Sequence, residues 1–171
     1  MFSKILIANR GEIAVRIIKT CRRMSIKTVL VHSDADTGSL AYEMADETVH
    51  IGPSPAAHSY LLQDKIVEAV RQTGAEAVHP GFGFLSENPV FARRLEAEGI
   101  TFIGPNPHAI EAMGDKITSK KFAAEAGVST VPGYMGLIDT TEHAVTIANE
   151  IGYPVMIKAS AGGGGKGIRV A

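Results

Sequence analysis

The chain has 171 residues, 45% hydrophobic and 20% charged, enough for one full globular core and unlike a disordered or fibrous protein. Its net charge of −1 balances 17 basic against 18 acidic residues spread along the chain, so no basic face for nucleic acid declares itself. Cys21 is the single cysteine, which fits a reducing compartment, and neither a targeting leader nor an apolar run of membrane-spanning length is visible; the expected location is the cytoplasm.

Ile5-Leu6-Ile7-Ala8 is a short apolar run of buried-strand type, ending at Asn9-Arg10-Gly11. Glu12 to Met24 follows as a helix with Ala14, Ile17, Ile18 and Cys21 on one face, where Cys21 serves as small core filler. Thr28 to Val31 and Thr48 to Ile51 are the next strands. The polar segment between them, with Asp34, Asp36 and Gly38, lacks the further acidic ligands of a calcium loop and reads as a surface turn. Leu62, Ile66, Ala69 and Val70 mark an amphipathic helix that closes at Gly74.

Ala77-Val78-His79 is a fourth strand, running into Pro80-Gly81-Phe82-Gly83-Phe84-Leu85-Ser86-Glu87-Asn88. Such a loop beyond the carboxyl end of a parallel strand is where α/β sheets bind ligands, and it also suits a tight turn with Phe84 and Leu85 tucked beneath it. His79 is expected to anchor that loop by hydrogen bonding rather than to act as a base. The six histidines show no zinc-ligand spacing. Asn88-Pro89 starts a helix that ends at Gly99, and Thr101 to Ile103 is the fifth strand. Strict alternation of strand and helix argues for a doubly wound parallel sheet.

Gly104-Pro105-Asn106-Pro107 punctuates the chain, and the expected division is 1–104 and 105–171. A short helix from His108 to Met113, a second capped by Asp115 and stopped at Gly127, and a third from Asp139 to Ile151 lead to the final stretch. There Val155-Met156-Ile157 reads as a short buried strand delivering Lys158 and the glycines Gly162, Gly163, Gly164 and Gly165, with Lys166 and Gly167, before the returning strand Ile168-Arg169-Val170. Residues without a Cβ let the main chain approach a polyphosphate and aim its N–H groups, and the two lysines add positive charge. The pattern fits neither a dinucleotide fingerprint, which needs a following helix, nor a Walker loop, since Gly167 stands where Ser or Thr would be required. A glycine hairpin between two strands is closer to the flap that covers ATP phosphates in kinases. Such a ribbon cannot bury both faces alone, and no acidic cluster follows it to hold magnesium; the expectation is the front part of a larger enzyme, inactive by itself.

The motifs I-A-N-R-G-E-I-A at 7–14, A-D-E-T-V at 45–49, H-P-G-F-G-F-L-S-E-N at 79–88, F-I-G-P at 102–105, M-G-D-K at 113–116 and I-K-A-S-A-G-G-G-G-K-G at 157–167 together resemble the biotin carboxylase component of biotin-dependent carboxylases. Within that family the wording is most similar to the propionyl-CoA branch, with the acetyl-CoA, methylcrotonyl-CoA and pyruvate branches as rivals. The resemblance implies a Rossmann-like N-terminal domain followed by the start of an ATP-grasp domain. It implies a ligase that phosphorylates bicarbonate with MgATP and transfers the resulting CO2 to N1 of biotin on a carboxyl carrier domain, working with a carboxyltransferase subunit. Lys116 and Lys158 match nucleotide-contacting lysines, and Gly164 and Gly165 lie in the flap over the phosphates. Phe82, Gly83 and Glu87 match a segment on the biotin side. No catalytic residue is assigned in this stretch, and the Mg2+ ligands are expected beyond residue 171. Two departures stand out. Many relatives have Tyr where Phe82 stands, which removes a hydroxyl. Lys19 and Arg23 on the first helix are both cationic where bacterial acetyl-CoA-type enzymes use a mixed-charge pair at their dimer contact, which favours assembly through other subunits.

Three alternatives differ in class. Another ATP-grasp carboxylate-amine ligase would share the hairpin but has no reason to carry the 79–88 loop. A dinucleotide oxidoreductase would need the three-glycine turn that Asn9-Arg10-Gly11-Glu12 lacks. A non-catalytic assembly module is the third.

Overall fold

The computed structural model describes residues 1–131, 133–134, 136–158 and 168–171. They form two compact units, Met1–Glu111 and Ala112–Ala171.

The first unit is a five-stranded parallel sheet in the order β3-β2-β1-β4-β5. Its strands are β1 (Lys4–Ile7), β2 (Lys27–Ser33), β3 (Glu47–Gly52), β4 (Ala77–His79) and β5 (Thr101–Phe102). Its helices are α1 (Gly11–Arg23), α2 (Leu40–Met44), α3 (Gln63–Thr73) and α4 (Pro89–Ala97), with α5 (Pro107–Gly114) following β5. β1 is central, paired with β2 through Leu6↔Val29 and with β4 through Leu6↔Val78. That position explains why Ile5, Leu6 and Ile7 form an unbroken apolar run: both faces of a central parallel strand are covered.

Alternation assigns the faces. Leu6, Val29, Val31 and Val78 pack with Ile66, Val67 and Val70 of α3 and with Phe91 and Leu95 of α4. Ile7 and Leu30 pack with Ala14 and Ile18 of α1 and Ala41 of α2, and Ile5 and Ala77 with Cys21. The sheet is therefore Rossmann-like and doubly wound, as the strand–helix alternation requires. Each side chain as large as Phe91 or Leu95, fully buried here, contributes about 1.5–3 kcal/mol. Cys21 fills core space, and burial pushes its thiol pKa up.

The helix signals read from sequence hold. The Asn88 side chain accepts from the Phe91 N–H at 3.0 Å with Pro89 in the first turn, and Gly74 ends α3 with φ +67°. One segment differs from expectation. Asp34–Asp36 is a 3-10 turn rather than a plain surface turn, and it buries Asp36.

In the second unit, α6 (Lys116–Glu125) is capped by Asp115, which accepts from the Thr118 N–H at 2.7 Å, and Gly127 follows it at φ +69°. α7 (Thr141–Ile151) is capped by Thr140 and stopped by Gly152, and it buries Ile147 and Ala148. β6 (Met156–Ile157) and β7 (Arg169–Val170) pair antiparallel as Met156↔Val170 and Ile157↔Arg169, with Val155 and Ala171 extending the ladder through backbone bonds of 2.9 and 3.0 Å. The expected strand-and-return ribbon is present, but its first strand is not buried: Met156 and Ile157 are 55% and 50% exposed. A two-stranded ribbon offers no second layer to cover them.

Candidate functional site at the strand ends

In a 3-2-1-4-5 sheet the strand order reverses between β1 and β4, and the loops leaving their carboxyl ends flank a crevice. Here those loops are tied together. The Ala8 N–H donates to the His79 carbonyl at 3.0 Å, which carries the ladder one residue past β1. Asn9 follows, buried at 3% exposure, and its Nδ2 donates to the carbonyls of Pro80 at 2.7 Å and Phe82 at 2.8 Å. Its Oδ1 accepts from the Arg10 N–H at 2.9 Å. Gly81 lies so close that a Cβ there would meet Asn9 Nδ2 at 2.7 Å and Ile13 Cγ2 at 2.8 Å, and its φ is +67°. Glycine is needed at that position for space and for conformation.

His79 closes the other side. Its Nδ1 accepts from the Gly81 N–H at 3.0 Å, and burial pulls its pKa below the ordinary histidine value, so the ring is held neutral. It is the loop anchor the sequence led us to expect.

The third strand end contributes a polar network. Arg10 reaches Asp36 with Nε at 2.8 and 2.9 Å and Nη2 at 2.6 Å. Asp36 Oδ2 also accepts from Ser33 Oγ at 2.8 Å and from the Tyr60 hydroxyl at 2.6 Å. Burial alone would push the Asp36 carboxyl up, but the hydrogen bonds from Arg10, Tyr60 and Ser33 and the Arg10 charge outweigh it, and its pKa lies below the ordinary carboxylate range. Burial first, and then the bond to Asp36, push the Tyr60 hydroxyl up to about 12. The Tyr60 ring stacks on Phe84, centroids 4.8 Å apart and 6° from parallel. Phe84 adopts φ +47°, the left-handed region that a bulky residue seldom occupies.

The 80–88 loop thus does both things its sequence allowed. Leu85 is buried and Phe84 is tucked against Tyr60, while Phe82, Gly83 and Glu87 face solvent, Phe82 at 77% exposure. All three belong to the same loop after β4. Lys158 is exposed at the end of β6 in the second unit. Lys116 is the first residue of α6, and its side chain lies outside the described residues. Gly162, Gly163, Gly164, Gly165, Lys166 and Gly167 also lie outside them. Lys19 and Arg23 are exposed on α1. Among the described residues no group of His, Cys, Asp and Glu could hold a metal ion, and no helix is long and apolar enough to cross a membrane.

Asn9, Arg10, Asp36 and Tyr60 were not singled out as site residues by sequence reasoning. The one local signal was a polar Asn-Arg pair directly after the most apolar strand; residues 36 and 60 stand at no spacing that marks them.

The family model described as biotin carboxylase, N-terminal domain, matches residues 1–110, and that of the carbamoyl-phosphate synthase L chain, ATP binding domain, matches residues 115–171. The chain is 69% identical to the propionyl-CoA carboxylase alpha chain of Ruegeria pomeroyi over all 171 residues, which are 25% of that relative's length. A solved Campylobacter jejuni biotin carboxylase, in complex with β-γ-ATP, superposes with TM-score 0.93 at 44% identity over 99% of this chain and 38% of its own. The biotin carboxylase domain of Hydrogenobacter thermophilus 2-oxoglutarate carboxylase, solved as a dimer with MgADP, ADP and bicarbonate, does so with TM-score 0.91 at 52% identity over 99% and 37%. The chain spans about a quarter of the length of the curated relatives it matches first. A parallel sheet in this order, with the matching family model across all five strands, shows that the chain belongs to the biotin carboxylase N-terminal domain family.

Proposed function

We propose that this chain is the N-terminal part of an ATP-dependent biotin carboxylase serving a propionyl-CoA carboxylase in the cytoplasm. The observation that carries this reading is the 69% identity to a propionyl-CoA carboxylase alpha chain along the whole chain. The ligands named for its structural neighbours, MgADP, bicarbonate and an ATP complex, supply the rest of the reaction. A bicarbonate oxygen attacks the γ-phosphorus of ATP and ADP leaves; the carboxyphosphate formed breaks its C–O bond to release CO2 and phosphate; N1 of biotin, carried on its own domain, gives up its proton to that phosphate as it bonds to the CO2. A carboxyltransferase subunit then passes it to the acyl-CoA.

In this scheme Lys158, at the mouth of the β6–β7 ribbon, and Lys116 supply fixed positive charge to the nucleotide phosphates, which needs no reorganisation as the phosphoryl group moves. Gly162, Gly163, Gly164, Gly165, Lys166 and Gly167, which lie outside the described residues, are assigned to binding those phosphates. Phe82, Gly83 and Glu87 border the biotin. Magnesium, which neutralises the phosphates when bound, takes its ligands from outside the described residues. We place the division of roles near residue 104, with the sheet on one side and the nucleotide-binding region on the other. Two cationic residues, Lys19 and Arg23, on the outer face of α1 favour assembly through other subunits.

The test is ATP hydrolysis and carboxybiotin formation by the full-length protein, with propionyl-CoA and acetyl-CoA compared as final acceptors. Turnover should require bicarbonate, and Lys158→Gln should raise KM for ATP about ten- to a hundredfold, the loss of one charge-assisted hydrogen bond. ATP turnover that depends on an amine or amino acid instead of bicarbonate would favour another ATP-grasp ligase, and none at all would favour an assembly module.

A further inference from the structure

Two side chains remote from the loop's exposed rim hold it, Asn9 by hydrogen bonds and Tyr60 by ring stacking. Both donors of the buried Asn9 carboxamide go to the 80–88 loop, to the carbonyls of Pro80 and Phe82 on either side of Gly81. On the far side of Phe82, Phe84 is kept at φ +47° under the Tyr60 ring. Tyr60 cannot swing away, because its hydroxyl donates to Asp36 at 2.6 Å and accepts from the Ser33 N–H at 3.1 Å, and Asp36 is itself clamped by Arg10. Asn9 and Arg10 are adjacent in sequence, so the turn after β1 governs both flanks of Phe82. Between these flanks the backbone is pinned while the Phe82 ring projects 77% exposed. A mobile loop would have to be ordered when a ligand arrives; a pinned one has already met that cost.

We propose that Asn9 and Tyr60 are positioning residues that preset the 80–88 loop so that the exposed Phe82 ring receives the apolar side of the biotin substrate. The inference rests on the reading that this loop borders biotin. Neither residue touches the substrate; each acts through the backbone of the loop.

The test uses the full-length carboxylase with free biotin as the variable substrate. Asn9→Asp is isosteric, keeps the acceptor for the Arg10 N–H and removes the donated pair. It should raise KM for biotin about tenfold or more, while KM for ATP moves by less than about twofold. Tyr60→Leu, which removes the stacking partner of Phe84, should do the same, and Tyr60→Phe, which keeps the ring but loses its hydroxyl anchor, should give a smaller rise. A general loss of structure would move both KM values together, so equal changes overturn the proposal. An unmoved KM for biotin in a folded Asn9→Asp protein overturns it as well. If Asn9→Asp does not fold, the contrast between Tyr60→Leu and Tyr60→Phe decides. The wild-type control separates the two claims: absence of bicarbonate-dependent ATP turnover sinks the functional reading, whereas turnover with unmoved biotin KM in the variants sinks only the positioning role.

Discussion

Removing the Asp36 carboxylate should destabilise the first unit by about 3 kcal/mol. Asp36 → Ala leaves three partners behind. The Arg10 side chain is 49% exposed and rehydrates, so its half of the ion pair counts for about 0–1 kcal/mol. Ser33 is fully buried and its hydroxyl loses its acceptor, at about 1–2 kcal/mol. The Tyr60 hydroxyl still accepts from the Ser33 N–H but its proton is orphaned, at about the same cost. Against a typical total of about 5–15 kcal/mol this is a large fraction. At about 2–4 °C per kcal/mol it lowers Tm by roughly 6–12 °C. Urea unfolding followed by far-UV circular dichroism measures the loss directly, and the cycle with Tyr60→Phe should return a coupling of about 1 kcal/mol or more. The sign with pH also follows. Folding depresses the Asp36 pKa below its ordinary 3.8, so its contribution is fully present above that value and fades as pH falls through the lower folded-state value. The difference between wild type and Asp36→Ala should therefore be constant near neutrality and shrink under strong acid by the share that depends on ionisation, since a protonated Asp36 still accepts from Ser33 and Tyr60. A loss under about 1 kcal/mol at pH 7, or one that persists unchanged in strong acid, would refute the account.

Two further outcomes are expected from the same strand ends. Burial holds the His79 pKa below 6.5, so the unfolded chain takes up the proton first and stability should fall as pH drops below that value. Protonation of Nδ1 also removes the acceptor of the Gly81 N–H, so in an NMR titration the Gly81 amide should shift together with the His79 ring, at a pH below the ordinary histidine midpoint. Independent midpoints for the two would contradict this. Gly81→Ala and Gly38→Ala both place a Cβ at positive φ, but only at position 81 does the Cβ collide, at 2.7 Å from Asn9. Gly38→Ala should cost about 1–2 kcal/mol and Gly81→Ala at least about 1–3 kcal/mol more; equal losses by denaturant unfolding would mean that the Asn9 contact yields freely.

What the sequence determined by itself was local in origin. The apolar run of β1, the helical spacing of Ala14, Ile18 and Cys21, the caps at Asn88 and Asp115, and the stops at Gly74 and Gly127 follow from side-chain periodicity and backbone propensity within a few residues, and each is found where it was read. The role of His79 was equally legible, since a histidine at a strand end faces its own following turn. Tertiary structure alone decided the rest. Asp34–Asp36 reads as a solvated turn because acidic residues between strands usually are solvated; Asp36 is buried because parallel pairing places the end of β2 beside the turn after β1, where Arg10 can neutralise it. Asn9 meets Pro80 and Phe82 across more than 70 residues, and Asp36 meets Tyr60 across 24, separations set by crossover helices and by no spacing rule. The β6–β7 ribbon shows the converse. Periodicity marks Met156 and Ile157 as apolar and extended, but whether such residues are covered depends on a second layer packing against them, and a strand's own sequence does not carry that information.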